Sequence, residues 1–180
     1  MKLEELFTLA DEARRLTGHA ELVVIGSNSI LCLANHAAIP DTMTMSIDVD
    51  AYLKSDPGRT GLLKADLGEG SHFHRQHGIF LDPVSPRLAT LPEGWTARLL
   101  SECRGTVTLW FLDPDDAAIS KYARLEARDR RWIREGLAAG LLSMPKIKAR
   151  LGKTTFLDKA EETRARAAIE EDGAWLARAV

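Results

Sequence analysis

Two aspartates with one residue between them, Asp48 and Asp50, lie in the stretch Met45–Tyr52, which alternates apolar and polar residues. In a strand, residues two apart project to one face, so these carboxylates stand side by side. Like charges that close repel unless a cation lies between them. Mg²⁺ suits the position because it takes hard oxygen ligands and keeps open coordination sites for substrate phosphates. Taken alone, the pattern favours a plainer reading, the wet face of an amphipathic edge strand. A third acid, Asp82, ends a separate short apolar run, Ile79-Phe80-Leu81, although Asp-Pro is also a common turn opener. Ahead of both, Leu22-Val23-Val24-Ile25 runs into Gly26-Ser27, a small-residue turn whose N–H groups can meet a phosphate. Three carboxylates on neighbouring strand ends beside such a turn would make a two-metal site for in-line attack at phosphorus.

The elements that must position these groups follow from periodicity. Leu3, Leu6, Phe7, Ala10 and Ala13 recur at helical spacing, and Gly18 closes that helix. Leu22–Ile25 has the continuous apolar character of a buried strand, and Ile30–Ala34 that of a buried helix. Thr60–Leu67 reads as a helix, Gly78–Pro83 as a strand stopped by its proline. Trp95–Leu100 and Thr106–Leu112 read as further strands. Beyond Asp113 the character becomes helical to the end, with breaks expected at Gly136, Gly140, Pro145 and Gly152. Asp113-Pro114-Asp115-Asp116 supplies an N-cap, a proline at the first helical position and acids in the first turn. The expectation is an α+β fold, a small mixed sheet over residues 1–112 followed by a helical subdomain over residues 113–180.

Composition narrows the class. The 180 residues are 45% hydrophobic, enough for a sizeable core. Lys and Arg total 24 against 26 Asp and Glu, a net charge of −2, which argues against a large DNA-coating surface. A local basic groove stays open. Cys32 and Cys103 are too few for a disulfide scaffold or a cysteine zinc site, which fits a reducing, cytoplasmic setting. Acids in Met1–Glu5 do not suit a signal peptide, and no apolar run is long enough to span a bilayer.

An apolar strand ending in Gly-Ser, a helix, an apolar-flanked Asp-x-Asp and a later lone Asp resemble, in that order, the nucleotidyltransferase superfamily with the DNA polymerase β-type palm. The segment Leu91-Pro92-Glu93-Gly94-Trp95-Thr96-Ala97-Arg98-Leu99, then Leu112–Lys121 and Arg128-Asp129-Arg130, is similar to bacterial nucleotidyltransferase-like proteins related to AbiEii-type abortive-infection toxins. The likeness covers about Leu22 to Leu151. It implies that Gly26 and Ser27 hold a triphosphate, and that Asp48, Asp50 and Asp82 bind two Mg²⁺ ions and carry catalysis. Lys121 would meet phosphates as a point charge, and Asp129 would orient the site. It further implies transfer of a nucleoside monophosphate from an NTP to a hydroxyl of tRNA or protein. The setting would be a toxin–antitoxin or phage-defence system with a possible cognate antitoxin. Replacing Lys121 with Ala is expected to weaken NTP binding while leaving thermal stability nearly unchanged.

Other features carry plainer readings. His72, His74 and His77 could suggest zinc, but no nearby acid or cysteine completes the set; His72 and His74 would share a strand face and His77 would not. Arg124, Arg128, Arg130, Arg131 and Arg134 could make a basic strip for RNA, but Glu126, Asp129 and Glu135 interleave with them, as on a salt-bridged solvated face. The four tryptophans suit core or interface positions. Ser27 and Ser29 lack a hydrolase nucleophile motif. Two rivals stand beside the nucleotidyltransferase reading: a non-catalytic, antitoxin-like palm that binds a partner, and an enzyme that nucleotidylates a small molecule or antibiotic. A basic cleft alongside the acids would favour a polynucleotide acceptor, and a closed apolar pocket a small molecule.

Overall fold

The computed structural model describes residues 1–87 and 90–179. Helix α1, Leu3–Thr17, buries the periodic face Leu3, Leu6, Phe7, Ala10 and Ala13 and ends at Gly18 with φ +78°. Acids in its first turn and arginines in its last complement the helix dipole.

Five strands make one mixed sheet: β1 Glu21–Val24, β2 Asp48–Leu53, β3 Phe80–Pro83, β4 Leu100–Arg104 and β5 Val107–Phe111, in the order β3-β2-β1-β5-β4. β1 runs antiparallel to β2 and parallel to β5, and β2 runs parallel to β3. Alternation sorts the side chains into two cores. Leu22, Val24, Val49, Ala51, Leu53 and Leu81 pack with α1 and with the short helices α2, Lys64–Leu67, and α3, His72–His77. Val23, Ile25 and Tyr52 point the other way, into the C-terminal helices α4 Pro114–Arg124, α5 Ala127–Ala138, α6 Met144–Leu151 and α7 Lys159–Ala179. The fold is α+β with a helical C-terminal half, as the periodicity implies.

Charged residues tie those helices together. Fully buried Asp172 of α7 accepts from Tyr122 of α4 at 3.2 Å and from Arg130 and Arg134 of α5 at 3.0 and 2.8 Å. Asp113 caps α4 by accepting from the Asp115 N–H at 2.9 Å. No described helix is long and apolar enough to cross a membrane.

Several local expectations change. The helix after Gly26-Ser27 is a 3₁₀ segment that begins at Gly26 itself and runs to Leu33, its first turn tightened by the Ser29 hydroxyl donating to the Gly26 carbonyl at 2.8 Å. Another 3₁₀ segment, Pro57–Leu63, precedes the short α2. Trp95–Arg98 is a 3₁₀ turn, not a strand, because Gly94 enters it at φ +73° and Arg98 is drawn to Asp116 at 2.8 Å. The strand there is β4, whose mostly exposed residues leave no apolar period to read. His72 and His74 are helical, capped by Ser71, whose hydroxyl accepts from the His74 N–H at 3.1 Å. Gly136 does not break α5: its missing side chain lets Leu142 and Met43 pack against the helix. Pro145 opens α6, where its lack of an N–H costs nothing.

Candidate active site

The β2–β3 register decides the geometry. Asp50 stands opposite Asp82, and Asp48 opposite Phe80. Asp48 and Asp50 share the face of Tyr52, while Val49, Ala51 and Leu53 take the other. Asp82 alternates with buried Leu81, so the three carboxylates share the face on which the C-terminal helices pack. Asp82 lies exposed at the sheet edge. Burial, foremost, and then the charges of Asp48 and Asp82 push the Asp50 carboxyl up to about 6.

The Gly26-Ser27 turn abuts these acids. The Ile25 N–H donates to the Asp50 carbonyl at 2.8 Å, and the Asn28 amide to the Asp48 carbonyl at 2.8 Å. Gly26 has φ +70°, and a Cβ there would collide with the Asp50 carboxylate. Gly26→Ala should therefore destabilise the chain by at least about 2 kcal/mol, combining left-handed strain with overpacking. A thermal melt checks this. A change within a few tenths of a kcal/mol would contradict the close approach.

Helix α4 delivers Lys121 to the turn. Its Nζ donates to Ser27 Oγ at 2.8 Å and to Asp129 at 3.1 Å, and lies 4.9 Å from the Trp132 ring centroid. Lys121 is only 5% exposed, so its replacement should cost stability, contrary to the expectation that thermal stability would stay nearly unchanged. Burial lowers its pKa, and the Asp129 charge opposes that shift. Asp129, fully buried on α5, also accepts from Arg124 Nε at 2.7 Å and Nη2 at 2.6 Å. Burial alone would raise the Asp129 carboxyl, but the Arg124 hydrogen bonds and the Lys121 charge hold it below its usual range.

The contact between Lys121 and Ser27 divides the cleft. On one side a cavity of about 330 Å³ is lined by Gly26, Asp50, Val84, Ser120, Lys121 and Arg124. On the other, one of about 530 Å³ is lined by Ser27, Asp48, Met45, Lys121, Arg128 and Arg131 among others. Asp48, Asp50, Asp82, Gly26, Ser27, Lys121 and Asp129 are thus brought to one place. Sequence reasoning missed three neighbours. Ser46, whose hydroxyl donates to the Asp48 carboxylate at 2.5 Å, could have been found two residues before Asp48 on the same strand face. Arg124 could have been found one helical turn after Lys121. Asn28 gave no signal of burial. The histidines lie elsewhere, with His72 and His77 in a groove beside Asp11 and Glu12 of α1.

A family model described as "Nucleotidyltransferase of unknown function (DUF6036)" matches residues 4–175. The chain belongs to this nucleotidyltransferase family. No curated protein and no solved structure matches the chain.

Whether a divalent cation suits this member of the nucleotidyltransferase family can be judged from its own side chains. Among the described residues, no three His, Cys, Asp or Glu side chains already close around a common point. The donor set nevertheless fits a hard cation: three carboxylates share a face, and the carboxyl of partly buried Asp50 is pushed upward by burial and by the charges of the other two. Asp48, Asp50 and Asp82 are the side chains that would hold it.

Proposed function

We propose that the chain transfers a nucleoside monophosphate from an NTP to an acceptor hydroxyl and releases pyrophosphate. The observation that carries this reading is the meeting of the Asp48–Asp50–Asp82 face with Lys121 at the Gly26-Ser27 turn. Ser27 and Lys121 bind the phosphate chain, with Asp129 holding the ammonium in place. The acceptor oxygen attacks the α-phosphorus from the exposed Asp82 edge as its proton passes to solvent. The new O–P bond forms as the bond from the α-phosphorus to the α,β-bridging oxygen breaks, and pyrophosphate leaves with that electron pair. Mg²⁺ bound by the three carboxylates would supply charge neutralisation of the triphosphate.

The cleft is open and basic, with Lys121, Arg124, Arg128 and Arg131 on its walls, which favours a polynucleotide over an enclosed small molecule. RNA is therefore the acceptor we favour. By the resemblance to AbiEii-type proteins the acceptor is tRNA, and the setting a toxin–antitoxin or phage-defence system with a cognate antitoxin. The test is incubation with each α-labelled NTP, Mg²⁺ and total cell RNA plus protein, followed by gel separation. Label in an RNA band is expected. Label only in protein would move the acceptor class. No label with any NTP, together with no NTP binding, would favour the antitoxin-like binding palm.

A further inference from the structure

The two edges of the sheet differ in what they offer. Strand β3 stops at Pro83, whose missing N–H blunts that side. Strand β4, Leu100–Arg104, forms the opposite edge, and its Leu100, Ser101, Cys103 and Arg104 are exposed. A tight hairpin joins it to β5, with Arg104 facing Val107 across Gly105-Thr106 and Gly105 at φ +58°. The bonds of β5 fix which way the β4 backbone points. The Thr108 N–H turns away from β4 and donates to the Ala20 carbonyl at 2.9 Å. Cys103, opposite Thr108, is therefore in a non-hydrogen-bonded pair, and its N–H and C=O face the open edge. Ser101, two residues along, points the same way. Among the described residues no backbone group of another element bonds to either. The side chains carry a second pattern. Glu102 and Arg104, opposite in sign, share one face with Cys103 between them. Their bonds within the chain are long: Glu102 accepts from Asn35 at 3.3 Å, and Arg104 donates to exposed Asp11 at 3.4 Å. Contacts so near the limit of hydrogen bonding leave both free to turn to a better partner.

We propose that two copies of this chain pair β4 to β4, antiparallel about a twofold axis through Cys103. The strand's own charges select both the occupant and the register. With Cys103 opposite Cys103, Glu102 of each copy faces Arg104 of the other, twice over by symmetry. Each Cys103 exchanges its N–H and C=O with its mate. The flanking Glu102–Arg104 pairs are then non-hydrogen-bonded ones, where side chains approach most closely. Moving the axis to Glu102 sets two carboxylates against each other. Moving it to Ser101 sets Glu102 against Leu100 and Arg104 against Arg98. In the favoured register Leu100, 39% exposed, lies over the turn of the second copy and loses water there. The join makes one continuous sheet from two five-stranded ones, and because β3 is blunted it closes at two copies. It stands at the far end of the sheet from β2 and β3, so both acid faces stay open. Pairing at β4 is independent of the transfer chemistry.

The test is sedimentation of the full chain at rising concentration. The wild type should pass from monomer to dimer, with no larger species. Glu102→Lys and Arg104→Glu should each weaken dimerisation about 10-fold or more, because each sets like charges opposite one another twice. Mixed in equal amounts, these two variants should form a heterodimer, since each supplies the charge that the other has lost. A folding defect cannot produce that rescue. Cys103→Pro removes one outward N–H and spares the β5 ladder. It should therefore weaken the dimer while its circular dichroism melt stays close to that of the wild type. Cys32 is buried and Cys103 exposed, so a short bismaleimide reads Cys103 alone. It should link two wild-type chains and fail to link those of unmixed Glu102→Lys. A wild type that stays monomeric at about 100 µM would overturn the pairing and leave the edge to an extended segment of another protein. A dimer that every variant keeps would overturn it by placing the contact elsewhere. A mixture of the two charge variants that fails to associate would overturn the register, and the proposal with it.

Discussion

Asp50→Asn should abolish nucleotidyl transfer while raising the melting temperature of the metal-free protein. Asp50 is partly buried and has two carboxylate neighbours, one along the strand and one across it. Its charge therefore opposes folding at neutral pH, and an amide of the same shape removes that opposition. The upward shift to about 6 corresponds to roughly 3 kcal/mol, or roughly 6–12 °C in a chain of this length. The sign is checked by pH. A carboxyl whose folded pKa is raised destabilises above that pKa and has no effect once it is protonated in both states. The difference in melting temperature should thus close as the pH falls from about 6 towards 4. Activity should move the opposite way, by about 10³-fold or more, because a ligand charge for the divalent cation is lost. Mg²⁺ should stabilise the wild type and not the variant. A variant that is less stable than the wild type without metal, or that keeps its transfer rate, would refute this account of the acid face.

Asp129→Ala should cost about 3 kcal/mol, a drop of roughly 6–12 °C in melting temperature. Asp129 is fully buried and compensates Lys121, itself 5% exposed, while Arg124 can turn to solvent because its side chain is 48% exposed. The cost is that of an ammonium left buried without its counter-charge. A double-mutant cycle isolates it: adding Lys121→Met to Asp129→Ala should return part of the stability, since no unpaired charge then remains. NTP affinity should fall in Asp129→Ala even though Asp129 lies behind Lys121 and Arg124, because both cations lose the group that aims them. Strictly additive losses in the cycle would show that the pair is not coupled. Unchanged NTP affinity would return Asp129 to a purely structural role.

The acid face and the turn were legible from short-range patterns. Alternation over Met45–Tyr52 put Asp48 and Asp50 on one face because the strand period is two, whatever the strand's neighbours are. The cap Asp113-Pro114 announced α4, and the face of α1 followed from its period. Local conformation was less legible where small residues and caps compete. Gly94 turned an apparent strand at Trp95 into a 3₁₀ turn, Ser71 made a helix of the histidine segment, and Gly136 passed through a helix it was expected to end.

What no periodicity could supply is contact between segments far apart in the chain. The parallel register that sets Asp82 opposite Asp50 is fixed by which edge of β2 the later strand joins, a choice made by packing. The reach of Lys121 across 94 residues to Ser27 exists because α4 docks on the 3₁₀ segment after the turn. Once docked, Lys121 is out of water, and only then does Asp129 become its necessary counter-charge. The sequence by itself determined which residue types share a strand face or a helix face, since that depends on backbone geometry alone. The tertiary structure decided which of those faces meet, and so which charges are buried, because desolvation depends on everything that surrounds a group.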